Sequence, residues 1–264
     1  MHLDTPESPP DTPAQRKADR ARLLRALNVS LAFVLVLTAV FAAQSGFDWR
    51  PFAVTPWRAE GLLGVLTAPL LHGSVGHLAA NAASMLLLGT LAGAVYPRAT
   101  WRALPLIWLG SGLGAWLLGD PGSHHLGASG IGHGLMFLVF VLGLLRRDRP
   151  AVAAAMIAFL LYGGMLLTIL PREIDVSWQS HLGGAIGGVV AAFAFRRSDP
   201  VAPRKRYSWE LENDEDDGGG DGDALEPPRP ADVPVLWQRE PARPTVLEFP
   251  QAASQNRRTQ PDRD

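Results

Sequence analysis

The sequence contains no cysteine. That single absence removes disulfide frameworks, thiolate metal sites and a cysteine nucleophile together, and it leaves the redox compartment open. Charge excess is missing too. Lys and Arg number 24 against 25 Asp and Glu, so the balance points to no nucleic-acid partner. A third scarcity is local: charges crowd into the first 25 and the last 65 or so residues and are sparse between. The middle is a long apolar stretch of Leu, Ala, Val and Gly. An apolar middle with two polar ends is the composition of a membrane-embedded core.

Residues 1–25 form a polar, Pro-rich and then basic segment, with Arg16, Lys17, Arg20, Arg22 and Arg25. The apolar run 26–43 sits too deep for a signal peptide and lacks a convincing small-residue cleavage site, so it reads as a retained span. Residues 44–71 mix Trp49, Pro51, Pro56, Trp57, Arg58 and Glu60 with apolar side chains, which suits an interfacial loop with Trp at headgroup level. Five further apolar runs follow, at 77–96, 101–118, 126–145, 151–170 and 180–195. Each approaches the ~20 residues that a helix needs to cross the hydrocarbon. The expected fold is an all-α membrane protein, a six-transmembrane-helix bundle over residues 26–197. The tail, 198–264, holds Arg204-Lys205-Arg206, an acidic Gly-rich run and Pro-rich sequence. It has too few apolar residues for a core and is expected to be disordered.

Six spans put both termini on one side. The N-terminal basic cluster, Arg98 with Arg102, Arg146-Arg147-Asp148-Arg149 and Arg196-Arg197 then share that side. The opposite loops carry only Arg50, Arg58 and Arg172. The positive-inside rule makes both ends cytoplasmic.

Strongly polar side chains inside spans are costly and usually functional. Here they are His77, Asn81, Ser129, His133 and His181. Under this topology spans two, four and six all run inward from the outer face. His77 and Asn81 open span two, Ser129 lies near the start of span four and His181 starts span six. All three groups therefore lie at one depth, toward the extracytoplasmic side. Gly130 and Gly134 are four apart, as are Gly184 and Gly188, a spacing that lets helix backbones approach closely. Ordinary tight packing explains the glycines but not a Ser and a His beside them at matching depth. Close approach of spans four and six brings Ser129 Oγ within reach of the His181 ring.

A serine hydroxyl is a weak nucleophile until a base takes its proton, and neutral imidazole is the usual base. The developing oxyanion needs donors. Ser129 stands at a helix start, where backbone N–H groups lack intrahelical partners. His77 and Asn81 are four apart and share one helix face, offering a ring N–H and an amide. No acid lies in the outer half of a span to orient His181, which predicts a dyad rather than a triad. His72 reads as structural, tying down the turn before span two. His124 and His125 read as solvated loop residues.

These residues resemble a known pattern. His72-Gly-Ser-Val-Gly-His77-Leu-Ala-Ala-Asn81 resembles the two histidines and asparagine that open the second span of rhomboid proteins. Gly127-Ala128-Ser129-Gly130 is similar to the family's nucleophile motif, and Ser180-His181-Leu-Gly-Gly184-Ala-Ile-Gly-Gly188 to its last-span motif. Three motifs in the right order and at the right depth are far more specific than any one. The resemblance covers about residues 26–197. It implies a six-helix rhomboid-like bundle that hydrolyses a peptide bond in or beside a substrate's transmembrane helix. It implies Ser129 as nucleophile, His181 as base, and His77, Asn81 and the Ser129 N–H for the oxyanion. His72, Gly127, Gly130, Gly184 and Gly188 would be structural motif positions. No metal or cofactor is implied. The partners would be single-span membrane proteins and the lipid bilayer of the cell membrane. A helix hides its carbonyls in hydrogen bonds, so such a substrate must unwind before attack.

Two departures stand out. The residue four after the family's nucleophile is usually aromatic and packs on the catalytic ring; here it is His133, which stacks on His181 likewise, competes with it as a base, or, when protonated, shifts its pKa by like-charge repulsion. Trp57-Arg58 stands further upstream than the family's usual Trp-Arg pair. Other classes fit less well. A catalytically silent client-binding relative usually lacks the Ser or the His. A histidine-ligated haem or metal protein gives Ser129 and Asn81 no role. A transporter predicts internal repeats, and none is visible.

Overall fold

A backbone in hydrocarbon must satisfy its own hydrogen bonds, and an apolar chain does this locally as helix. The computed structural model describes residues 13–171 and 176–200. Among them there is no strand, only one antiparallel bridge between Val54 and His125. The helices are α1 (Pro13–Ala43), α2 (Leu62–Thr67), α3 (Val75–Ser84), α4 (Thr90–Val95), α5 (Pro97–Leu118), α6 (Ser129–Arg146), α7 (Arg149–Tyr162) and α8 (Trp178–Phe195). A π-helical turn, Met85–Gly89, joins α3 to α4 in one continuous rod, Val75–Val95.

Several boundaries differ from the hydropathy pattern. Residues 13–25 are helical and continue into the first span, because Ala, Arg, Leu and Lys are strong helix formers and Pro13 suits the first helical position. Residues 44–71 fold into 3₁₀ turns and the short α2 rather than a plain loop. Trp108 Nε1–H donates to the Leu66 carbonyl (3.2 Å) and Trp116 Nε1–H to that of Arg58 (2.9 Å), tying this segment to α5. The fifth run, 151–170, loses α-helical form at Gly163-Gly164 and ends in a 3₁₀ turn, Gly163–Leu166, and further turns. Gly has the lowest helix propensity after Pro.

Among the described residues four helical segments are long and apolar enough to cross a membrane: Pro13–Gly46, Val75–Val95, Ser129–Arg146 and Arg149–Leu166. α5 begins with Arg98 and Arg102, and α8 has Gln179, Ser180 and His181 in its first turn, polar residues that lower the mean hydropathy of each helix.

α8 is wedged between α5 and α6. Gly184 and Gly188 lie against the carbonyls of Gly130 and Gly134 on α6, and a Cβ on Gly134 would stand 2.8 Å from the Gly184 carbonyl oxygen. On the other side Gly183 and Gly187 meet α5: a Cβ at Gly114 would stand 2.8 Å from Gly183 Cα, and one at Gly187 would stand 2.6 Å from the Leu106 carbonyl oxygen. The Gly110–Gly114 spacing on α5 is therefore a second close-approach motif. Leu88, Tyr96, Ile107, Leu138 and Leu142 fill the core.

A polar cluster closes the end of the bundle where α4 meets α5. Arg146 pairs with Asp148 at 3.0 Å and sits over the Tyr96 ring. The Asp199 carboxylate accepts from the backbone N–H of Arg98 and Ala99, each at 2.9 Å, and caps α5. Arg146 also donates to the carbonyls of Asp199 and Pro200. Residues 198–200, where the composition of the tail begins, are thus packed on the bundle. Residues 1–12, 172–175 and 201–264, which include the rest of the expected disordered tail, lie outside the described residues.

Candidate active site

Ser129 owes its position to Gly127. That glycine has φ +112°, a backbone conformation that L side chains rarely adopt. Its N–H donates to the Ala68 carbonyl at 2.9 Å. The chain turns there, passes Ala128, and enters α6 at Ser129. The first N–H groups of α6 have no carbonyl one turn earlier to bond and point back toward the loop.

His181 stands on the first turn of α8. Ser177 caps that helix, its hydroxyl accepting from Ser180 N–H at 3.4 Å. The glycine contacts between α6 and α8 then bring His181 Nε2 to 2.9 Å from Ser129 Oγ. His181 Nδ1 lies 3.0 Å from the Thr168 carbonyl. A carbonyl only accepts, so Nδ1 carries the proton and donates. In the neutral ring Nε2 then presents its lone pair to Ser129, whose hydroxyl donates to it. Among the described residues no carboxylate bonds His181.

The His133 ring lies flat on the His181 ring, with 3.8 Å between centroids and 13° between planes. By the same logic His133 Nδ1–H donates to the Ser129 carbonyl at 2.7 Å. Its Nε2 is 2.8 Å from Thr168 Oγ1, which also lies 3.1 Å from the Met165 carbonyl. Both rings are buried, whereas Ser129 is partly exposed.

His77 and Asn81 flank the same spot on α3. Ser74 caps that helix by accepting from His77 N–H at 3.1 Å. A Cβ on Gly127 would stand 2.6 Å from His77 Nε2 and 3.7 Å from Asn81 Nδ2. Both side chains therefore lie over the backbone that leads into Ser129. One Asn81 N–H is spent on the His77 carbonyl at 3.0 Å, leaving the other for a ligand. All five polar residues singled out in the spans thus converge on one locus.

The remaining histidines are placed differently. His72 is fully buried, its ring edge-on to His77 at 5.2 Å, and neither ring nitrogen has a hydrogen-bond partner. The turn is tied down instead by the His72 backbone, whose N–H and C=O both bond the Gln44 side chain. Burial, aided by neighbouring His77, pushes the His72 pKa down to about 4. His124 is exposed beside Trp49. His125 is not a solvated loop residue: its ring bridges Ser123 Oγ (2.9 Å) and Ser177 Oγ (2.7 Å), and its backbone pairs with Val54. Burial lowers its pKa, against the pull of Asp120.

Three polar contributors are not singled out by the sequence, although Ser180 stands at the head of the last-span motif. Thr168 serves both rings, one through its carbonyl and one through its hydroxyl. Ser111 on α5 and Ser180 on α8 share a hydrogen bond of 2.7 Å beside Gly130. Thr168 has one signal, its place just after a helix broken by Gly163-Gly164. Among the described residues no three His, Asp or Glu side chains converge as a metal ion would need.

Comparison with known proteins matches residues 57–198 to the family model described as the Rhomboid domain. Uncharacterized proteins from Mycobacterium tuberculosis and Mycobacterium bovis are 37% identical over 206 residues, covering 73% of this chain and 85% of theirs. An uncharacterized protein from Mycobacterium leprae is 39% identical over 145 residues, 52% of this chain and 57% of its own length.

Proposed function

This chain belongs to the rhomboid family, and on that premise we propose that it is an intramembrane serine endopeptidase that cleaves single-span membrane proteins. The observation that carries the reading is the 2.9 Å approach of His181 Nε2 to Ser129 Oγ, with the Thr168 carbonyl fixing the tautomer. Ser129 Oγ attacks the scissile carbonyl while His181 Nε2 takes its proton. The charge on the carbonyl oxygen is met by the Ser129 N–H, the free Asn81 amide N–H and the His77 ring. His181 then passes the proton to the leaving amine, and the acyl-enzyme is released by water that His181 activates in turn. The Thr168 carbonyl does what a carboxylate does in a triad: it orients the ring and steadies the imidazolium, with less charge.

The proposal includes six spans. α5 and α8 are about 33 and 27 Å long at 1.5 Å per residue, close to the ~30 Å of the hydrocarbon core. Polar residues at their starts lower their mean hydropathy, and their glycines serve helix contact. In the proposed orientation, which the Arg-rich ends support, both termini are cytoplasmic and the Ser129 site lies toward the extracytoplasmic face of the cell membrane. Residues 26–197 form the protease domain between a basic N-terminal segment and an acidic, Pro-rich cytoplasmic tail.

The test is cleavage of a model single-span substrate by the purified, membrane-reconstituted chain. Ser129→Ala and His181→Ala should each lower the rate by about a thousandfold or more while keeping helix content. A Ser129→Ala variant that still cuts would refute the mechanism.

A further inference from the structure

A cavity unrelated to Ser129 opens between α1 and α5. Its volume is about 1120 Å³. α1 leans on the rod Val75–Val95, where Ala26 meets Gly93 on α4 and Ser30 meets Gly89 on the π-helical turn, and that rod forms the back wall. α5 stands on the other side, and the edge-on pair Phe33 and Trp108, 6.1 Å apart, links the two helices at the deep end. Between these limits the walls are apolar, with Val29, Met85, Leu104, Ile131 and Leu135 among them.

The mouth is cationic. Arg22, Arg25, Arg98 and Arg102 line it, all exposed, and among the described residues no Asp or Glu does. Arg22 is paired with Asp19 at 3.3 Å, and Arg102 reaches Ser198 Oγ at 2.9 Å. The Asp199 carboxylate is engaged by backbone N–H groups. Trp101, 65% exposed, stands among these arginines, as a headgroup-level aromatic does. The groove is therefore basic at the interface and oily below it. From Arg98 to Trp108 α5 descends about 15 Å, one leaflet's share of a ~30 Å core. Thr100, also in the wall, is 92% buried by its 8% exposure, and its hydroxyl has no hydrogen-bond partner.

The geometry points to a binding site for one anionic phospholipid, its phosphate among Arg25, Arg98 and Arg102 and an acyl chain in the groove. A soluble phosphate would use the arginines but leave the apolar depth empty. A zwitterionic lipid would fill the depth but bring no net charge to the mouth. The inference needs only that the chain is embedded in a bilayer and is independent of the chemistry at Ser129. In the orientation proposed above the site opens to the cytoplasmic leaflet, whose anionic lipids attract basic residues at the membrane surface.

Native mass spectrometry of the purified full chain, offered equal amounts of phosphatidylglycerol and phosphatidylcholine with identical acyl chains, tests this. The wild type should retain one phosphatidylglycerol in about tenfold preference. The double variant Arg25→Gln/Arg98→Gln should bring the two lipids near parity. Val29→Trp, which fills the groove and leaves the arginines intact, should lower retention of both lipids. Millimolar inorganic phosphate should not displace the lipid. Equal retention by the wild type, which needs no variant to fold, overturns the proposal. So does an unchanged preference in the double variant, full retention in Val29→Trp, or displacement by phosphate, which would mark a site for a free anion.

Discussion

The ring of His133 covers the ring of His181 while spending neither of its nitrogens on Ser129 Oγ. Nδ1 is committed to the Ser129 carbonyl and Nε2 to Thr168 Oγ1. Stacking and tethering are thus the tasks its geometry suits, and proton transfer from Oγ is not. A phenylalanine keeps the stack and loses two hydrogen bonds, each worth about 1 kcal/mol. His133→Phe should retain cleavage within about tenfold, and His133→Ala, which also removes the stack, should lose more. Rates on one reconstituted substrate decide it; an inactive Phe variant would give His133 a part in proton transfer.

Gly184 sets the distance between α6 and α8. A Cβ there collides with the Gly130 carbonyl, one residue from Ser129. Overpacking of this kind typically costs about 1–3 kcal/mol. Gly184→Ala should lower the melting temperature and abolish cleavage together. Gly164→Ala is the control, because nothing lies within 4 Å of its Cβ. Equal melting temperatures for the two variants would contradict the close-approach account.

Gly127 joins backbone strain to site geometry. Alanine there is forced to a φ of +112° and pushes on His77 Nε2. Gly127→Ala should therefore depress turnover by disturbing the oxyanion donors, beyond any loss of stability. Comparison of rate and melting temperature separates the two effects. A variant with normal turnover would show that His77 need not hold its place.

His72 predicts a pH dependence of stability. Its folded pKa is about 4 against 6.5 for the free ring, so the folded state holds it neutral. Its contribution is fully present above about pH 6.5, falls as the unfolded chain takes up a proton, and is exhausted near pH 4. Between pH 7 and 5 this amounts to up to about 2 kcal/mol. Because neither ring nitrogen is bonded, His72→Phe should fold and show a shallower decline over that interval. Melts at the two pH values check the difference in slope; parallel curves would mean that His72 is hydrated in the folded protein.

The site lay closer to the surface of the sequence than the fold did. Ser129, His181, His77 and Asn81 stand out because a polar group in an apolar run needs a reason, and the expected six-span order would put them at one depth. Gly130/Gly134 and Gly184/Gly188 show their contact through spacing alone. Thr168 leaves no such mark, because it orients His181 through its backbone carbonyl, a group that every residue carries. The role of Gly110 and Gly114 depends on α8 having two occupied faces, which periodicity on one helix does not reveal. Hydropathy likewise misses the helical start at Pro13, where helix propensity continues into polar sequence, and the packing of Asp199, whose partner N–H groups lie a hundred residues away.

The central claim is that Ser129 is an activated nucleophile. A fluorophosphonate probe, which traps serines whose hydroxyl has a working base, tests it most directly on the purified full chain. Mass spectrometry of the labelled protein should find one adduct, on Ser129, absent from Ser129→Ala and lost in folded His181→Ala. An unlabelled wild type, or an adduct that persists without His181, would contradict the account.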